Sequence, residues 1–390
     1  MITRRRVLAG AAAGALVPAA APASAAANPL ASACVLALRT QMAALPDGPV
    51  LLNSYIVETD PARTDFDLTQ ADAAYVYDNA LAGLLLLAAG DAPAARRIGA
   101  ALAQAQAQDP FYHDGRLRNA YQAGAMATPA KLPGWWDAKT AHWVEDPYQV
   151  GSQTGPLAWA MLLWSALDMR APADAAGDWL DDRLRAASGY YGGFYGFEPT
   201  PQKLTWQSTE QNTDLAVAFQ KLGRAEDAAH AAAFVKSRFD PKTQHAAAGT
   251  TPEGATNPLS AADAEIWPYL AGLGTAASAL AAIHQLRRGA GIGFSDASTS
   301  IWLEGTAFAA LALKQAKNPL AETFLTTLTQ NLAPCGYIYA TVAPMLSTGL
   351  TVGPSLQPGV PAQAFNYYRR PALSTTAWTG LAALGINPLG

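Results

Sequence analysis

The chain has 390 residues, of which 26 are Lys or Arg and 30 are Asp or Glu, so the formal net charge is −4. Charged residues make up only 14%, against about a quarter in ordinary domains. No basic stripe exists to hold a polyanion, which argues against nucleic acid as a partner. Sparse charge also makes each acid within an apolar or aromatic segment conspicuous.

The chain opens with Thr3-Arg4-Arg5-Arg6-Val7-Leu8, a weakly hydrophobic run from Ala9 to Ala21, and the small-residue site Ala23-Ser24-Ala25. A basic head, a short apolar run and a small-residue cleavage site form a signal peptide. Consecutive arginines before an Ala/Gly-rich core are the pattern of twin-arginine export. Residues 1–25 are therefore expected to be removed on passage through the twin-arginine machinery, with 26–390 as a single domain in the periplasm or outside the cell. The alternatives are an ordinary secretory signal or a retained anchor. No later apolar run approaches the roughly 20 residues that span a bilayer, so no stable membrane insertion is expected after signal removal.

From there, six segments of acids, amides, hydroxyls and aromatics each run into a stretch rich in Ala, Leu and Gly. They are Ala74 to Leu84, Asp146 to Trp159, Trp206 to Ala216, Ala262 to Ala271, Ser300 to Ala309 and Arg370 to Leu381. Helices of small residues pack closely, and polar residues at their starts converge on one face. Other segments place apolar positions three and four apart opposite charged ones, the pattern of outer helices with one wet face. These are Ser32 to Leu45, Asp91 to Leu102, Ala171 to Leu184, Arg224 to Lys236 and Ala321 to Leu332. Inner helices alternating with amphipathic outer ones predict an all-α (α/α)6 toroid of about twelve helices. The segments start near 74, 146, 206, 262, 300 and 370, unlike the fixed period of about 34 residues in an open tetratricopeptide solenoid.

Strand signals are confined to short, glycine-punctuated runs, Ser188 to Glu198 and Cys335 to Val342, which fit loops or small hairpins. The long connections Asp109 to Glu145 and Thr341 to Arg369 are rich in Gly, Pro and aromatics and are expected to wall a cleft. Cys34 and Cys335 are the only cysteines. Either they join the ends of the chain as a disulfide or they are two small apolar side chains. The five histidines show no metal-ligand spacing, and Gly289-Ala-Gly-Ile-Gly293 follows helix-like sequence, so neither a metal nor a nucleotide cofactor is expected.

Asp78, Glu210 and Glu304 each stand at the start of an otherwise apolar inner helix beside aromatics or amides, with no basic residue within a helical turn. Acids in a first turn also complement the helix dipole, by about 0.3 to 1 kcal/mol each, and capping is the plain reading of any one of them. Three on helices that share one mouth suggest more. Glycosidic bond cleavage uses two facing carboxylates, one kept protonated to supply the departing oxygen and one ionised. Glu210, between Trp206 and the amides of Gln211 and Asn212, is the expected general acid, with Asp78 or Glu304 as base in an inverting reaction. Asp146, Asp214 and Asp263 are candidates to bind sugar hydroxyls or to hold a catalytic neighbour, together with Gln153 and Asn212. The rings of Trp143, Tyr148, Tyr195, Trp206 and Trp302 fit the flat apolar faces of sugars.

The motifs Ser208-Thr-Glu210-Gln-Asn212-Thr-Asp214, Trp302-Leu-Glu304-Gly-Thr306 and the terminal Thr376-Ala-Trp378 to Asn387-Pro388 resemble those of bacterial secreted six-hairpin glycosidase-like proteins. The resemblance runs from about Asn53 to Pro388 and implies an (α/α)6 barrel. Such barrels include inverting glycoside hydrolases, unsaturated uronyl hydrolases and polysaccharide lyases, so it transfers no catalytic pair. Three readings follow: an exported hydrolase of a polysaccharide or oligosaccharide, a lyase using His113, His142, Tyr148 or Arg116, and a saccharide-binding toroid without turnover.

Overall fold

The computed structural model describes residues 28–390, so the expected export signal, residues 1–25, lies outside the described residues. In chain order the helices are α1 (Pro29–Ala43), α2 (Asp65–Gln70), α3 (Val76–Ala88), α4 (Ala92–Ala107), α5 (Thr154–Ala166), α6 (Arg170–Leu184) and α7 (Thr209–Lys221). There follow α8 (Ala225–Arg238), α9 (Ala262–Leu270), α10 (Ala276–Gln285), α11 (Leu303–Gln315), α12 (Leu320–Gln330) and α13 (Leu373–Leu384). All strands are short and lie in the connections.

The odd-numbered helices from α3 to α13 form the inner ring. Each packs on its neighbours in the order α3, α5, α7, α9, α11, α13, and α13 returns to α3, which makes the expected (α/α)6 toroid. Their sequences explain the placement. Every residue of α11 from Leu303 to Leu313 is buried, as a helix surrounded by protein requires. Outer α12 instead buries Ala321, Phe324, Leu325 and Leu328 while Glu322, Thr323 and Thr326 face outward. Two glycines set how closely α3 meets its neighbours. A Cβ on Gly83 would stand 2.8 Å from Leu163 of α5, and one on Gly380 of α13 would stand 2.5 Å from Leu85.

A repeated hydrogen bond explains why all six inner helices begin at the same end. Each follows an extended residue, namely Tyr75, Gln153, Ser208, Ala261, Trp302 or Ala372. The first N–H of each helix then donates to a carbonyl in the next connection around the ring. Val76 reaches Asn119, Thr154 reaches Gly192, Thr209 reaches Ala248, Ala262 reaches Phe294, Leu303 reaches Ala340 and Leu373 reaches Ser54. Donors left over by the helix geometry are thereby satisfied, and the circle closes between the two ends of the chain.

Two elements escape the sequence patterns. Helix α10 (sequence AASALAAIHQ) has no charged face to contrast with its apolar one. Helix α2 is a single short piece set by a capping box between Thr64 and Asp67. Cys34 and Cys335 are both free thiols, so of the two sequence readings the unbridged one holds, and burial pushes the Cys34 thiol up to about 12. Among the described residues no helix is long and apolar enough to cross a membrane.

Candidate active site

The starts of the inner helices surround a cavity of about 1010 Å³, at the upper end of the roughly 300 to 1,000 Å³ of small-molecule sites. Its floor is aromatic. Tyr77 of α3, Trp159 of α5, Trp267 of α9, Phe308 of α11 and Trp378 of α13 interlock along the barrel axis, with ring centroids such as Trp159 and Trp267 5.5 Å apart. The buried indole N–H groups of Trp159, Trp267 and Trp302, all on the cavity lining, have no protein acceptor.

Above this floor lie carboxylates without cations. Asp78 is the third residue of α3, Glu210 the second of α7, Asp263 the second of α9 and Glu304 the second of α11, and all four line the cavity. Its only lining cation among the described residues is Lys203, on the rim. Burial costs such groups their charge, and each further anion raises its neighbours. Burial, followed by the charge of Glu304, pushes Asp78 well above the carboxylate range, and a hydrogen bond from Ser54 only partly opposes it. Glu210 is raised by burial and then by Asp263, Asp214 and Glu304. Asp263 is raised by burial to about 6, against an opposing backbone hydrogen bond from Ala264.

Glu304 is the most closely held of the set. Tyr77 Oη donates to its Oε1 at 2.6 Å, Ser374 Oγ donates to its Oε2 at 2.8 Å, and Trp378 Nε1 donates in turn to Tyr77 Oη at 2.7 Å. Burial still lifts Glu304 to about 7, while these donors favour its ionised form. All four cavity acids are thus held toward their protonated forms, and Glu304 is the one whose ionised form two hydroxyl donors support. No three His, Cys, Asp or Glu side chains among the described residues converge closely enough to hold a metal ion.

Of the other residues expected at the site, Tyr148, Gln153, Trp206 and Trp302 line the cavity, as does Asp146. Asp146 differs from expectation in its setting. It does not open an inner helix, because α5 starts eight residues later at Thr154; it caps a turn, accepting from the N–H groups of Tyr148 and Gln149. Asn212 is fully buried and faces away from the cavity. Its Oδ1 accepts from Tyr190 N and its Nδ2 donates to the carbonyls of Tyr190 and Ser208, which fastens α7 to the preceding loop. Asp214 lies one turn below Glu210, wholly buried, and neither of its oxygens completes a hydrogen bond, although Trp159 is near enough to moderate its raised pKa. Trp143 projects from an exposed hairpin whose opposite strand supplies Trp135 to the lining. Tyr195 is buried at the rim outside the lining.

Tyr77, Ser374, Trp159 and Trp378 are site residues that sequence reasoning did not single out. Their signal was present in three of the six repeated segments, at positions occupied there by no acid. A tie within the wall was also hidden: Asn119, on the lining, accepts from Gln153 N and donates to Tyr148 O, both at 2.8 Å. Of the set that would serve a lyase, Tyr148 alone reaches the cavity. Burial and the charges of Glu210, Asp78 and Asp146 raise its phenol. Arg116 instead pairs with Asp114 and stacks 3.5 Å from the Tyr112 ring centre.

The ring of six helical hairpins with its cavity at the inner-helix starts defines an (α/α)6 barrel. Solved structures share that fold along most of their length. A glycosidase in complex with glucose superposes with a TM-score of 0.58 at 14% identity, covering 91% of this chain and 97% of that one. A D-mannose isomerase gives 0.60 at 11% identity, with 91% and 96% covered. A family 76 glycoside hydrolase from a bovine Bacteroides thetaiotaomicron strain gives 0.54 at 11% identity, with 92% and 78% covered. No family profile and no curated protein sequence matches the chain.

Proposed function

We propose that the protein hydrolyses glycosidic bonds of a neutral saccharide, with Glu210 as general acid and Glu304 as general base. The observation that carries this reading is the set of carboxylates on different inner helices above an aromatic floor, none beside a cation among the described residues and Glu304 alone held by two hydroxyl donors. Glu210, kept protonated by burial and surrounding anions, gives its proton to the departing oxygen as the C–O bond breaks. Glu304, held by Tyr77 and Ser374, takes a proton from water whose oxygen adds to the anomeric carbon from the opposite face, so configuration inverts. Asp78, the base candidate without the hydroxyl donors that Glu304 has from Tyr77 and Ser374, is left to hydrogen-bond sugar hydroxyls. The indole N–H groups of Trp267 and Trp302 and the rings supply further donors and stacking faces. An acid-lined cavity with one rim lysine disfavours polyanionic substrates. A lyase would need a base and an Arg or Asn to neutralise the uronate, and here the base is a tyrosine of raised pKa and no arginine among the described residues lines the cavity.

The basic and apolar leader extends this reading to export through the twin-arginine machinery, for which cell fractionation with and without residues 1–25 is the test. For the chemistry, the wild type is incubated with neutral α- and β-linked oligosaccharides and polymers. New reducing ends of inverted configuration, absent with Glu210→Gln or Glu304→Gln, are expected. Aldose-to-ketose conversion without bond cleavage, growth of absorbance from an unsaturated product, or binding without turnover would each replace the hydrolase reading.

A further inference from the structure

A sugar polymer bound along its middle needs a trough open at two opposite sides, whereas a chain end needs only a cup. Every connection at the inner-helix starts contributes to the lining: Tyr55 before α3, Tyr148 before α5, Trp206 before α7, Asn257 before α9, Phe294 before α11 and Tyr367 before α13. The lining is thus contributed from all six sides of the mouth. The interlocked rings of Tyr77, Trp159, Trp267 and Trp378 block passage along the barrel axis.

Over this cup leans the hairpin of Met345–Thr351 and Ala364–Tyr368, with its tip at 352–363. Its base is fixed to the connection before α11, where Ser295 and Ser298 hydroxyls donate to the carbonyls of Thr348 and Ser347. The hairpin lies between α12 and α13, and its tip meets the connection between α6 and α7, which stands halfway round the ring. A Cβ on Gly353 would fall 2.3 Å from the Tyr195 ring, so the tip backbone lies flat on that ring, and Leu356 covers Gly196. Val352, Gly353 and Pro354 line the cavity from above. A buried Tyr195 outside the cavity is thereby explained as the far anchor of a strap.

We infer that the hairpin at 345–368 is a fixed strap across the mouth that restricts the site to the ends of saccharide chains and to short oligosaccharides. The inference rests on the saccharide reading of the cavity and adds the mode of attack. Sugars enter end first beside the strap, and a chain continuing in both directions collides with it.

The test uses the full mature chain in three forms: wild type, a variant with 353–362 replaced by a short Gly-containing turn, and Gly353→Leu, which pries the tip from Tyr195. Melting curves establish that each is folded. Product lengths are followed from the earliest times on linear neutral glucans and mannans, and binding of linear oligosaccharides, cyclic glucans and end-blocked polymers is read from tryptophan fluorescence. Wild type is expected to release one short product from the outset and to ignore cyclic and end-blocked ligands. Both strap variants are expected to shift toward fragments of mixed length and to gain binding of ligands without ends. Early internal cleavage by wild type, or unchanged products from both variants, overturns the strap while leaving hydrolysis intact. If wild type breaks no glycosidic bond, the hydrolase reading falls and binding decides the strap: equal affinity for cyclic and linear glucans, or for neither, overturns it.

Discussion

Two groups of buried acids in this molecule have opposite surroundings. On the scaffold, Asp109 meets Arg118 through both oxygens, and Arg118 also donates to Glu198 and to the Val150 carbonyl. Asp67 likewise meets Arg370, from the far end of the chain. Burial alone would raise Asp67, but hydrogen bonds from Arg370, Thr64 and Glu58 bring it well below the carboxylate range. At the cavity, Asp78, Glu210, Asp263 and Glu304 have no such partner and all move upward. Arginines thus meet acids in the connections and on the outer helices, and none among the described residues lines the cavity. Scaffold acids are neutralised to hold loops, and cavity acids are left to neutralise one another by retaining protons.

The sharpest way to break this contrast is to remove a cavity carboxyl. Glu210→Gln and Glu304→Gln are each expected to cost on the order of 10³-fold or more in kcat/KM, measured as reducing-end release, while the cooperative melting transition is kept. A scaffold change should invert that pattern. Arg118→Ala leaves Asp109 buried and uncompensated, which costs about 3 to 5 kcal/mol, read as a large fall in Tm.

The pH dependence of stability separates the groups without mutation. Asp263 and Glu304 titrate near 6 and 7 when folded but near 4 when unfolded, so the native state binds more protons between those values. Their contribution is fully present below about pH 4 and declines as pH rises to about 7. Asp67 runs the other way: its contribution is present above pH 4 and lost as acid protonates it. Melting curves from pH 4 to 8 should fall more steeply in wild type than in Glu304→Gln.

The smallest expected effect tests Glu304's donors. Tyr77→Phe removes a hydrogen bond that favours the ionised form, so the acid limb of the pH–rate profile should move to higher pH. The rate at neutral pH should drop about tenfold, equivalent to 1.4 kcal/mol. A profile unmoved by this change would remove Glu304 from the role of base.

Much of this was legible in the residues. An all-round apolar helix such as α11 and a striped one such as α12 differ in period and polarity, so inner and outer positions followed from composition along a turn. Acids at helix starts were visible for the same reason, since little else in those segments is charged. Partners distant in the chain were not. Ser374 and Trp378 reach Glu304 from another helix, directly or through Tyr77, and the local pattern around them reads only as polar and aromatic. Asn212 and Asp214 show the converse: a polar run on one helix turn says nothing about which side faces the cavity.

The circle of helix-start hydrogen bonds closes between Leu373 and Ser54. The same last helix brings Ser374 and Trp378 to the Glu304 network. No N-terminal fragment, however long, can contain a complete ring or a fully dressed Glu304 until α13 has been made. Translation itself thus sets the timing of site assembly, and a prematurely ended chain lacks both its closure and the donors that prepare its carboxylate.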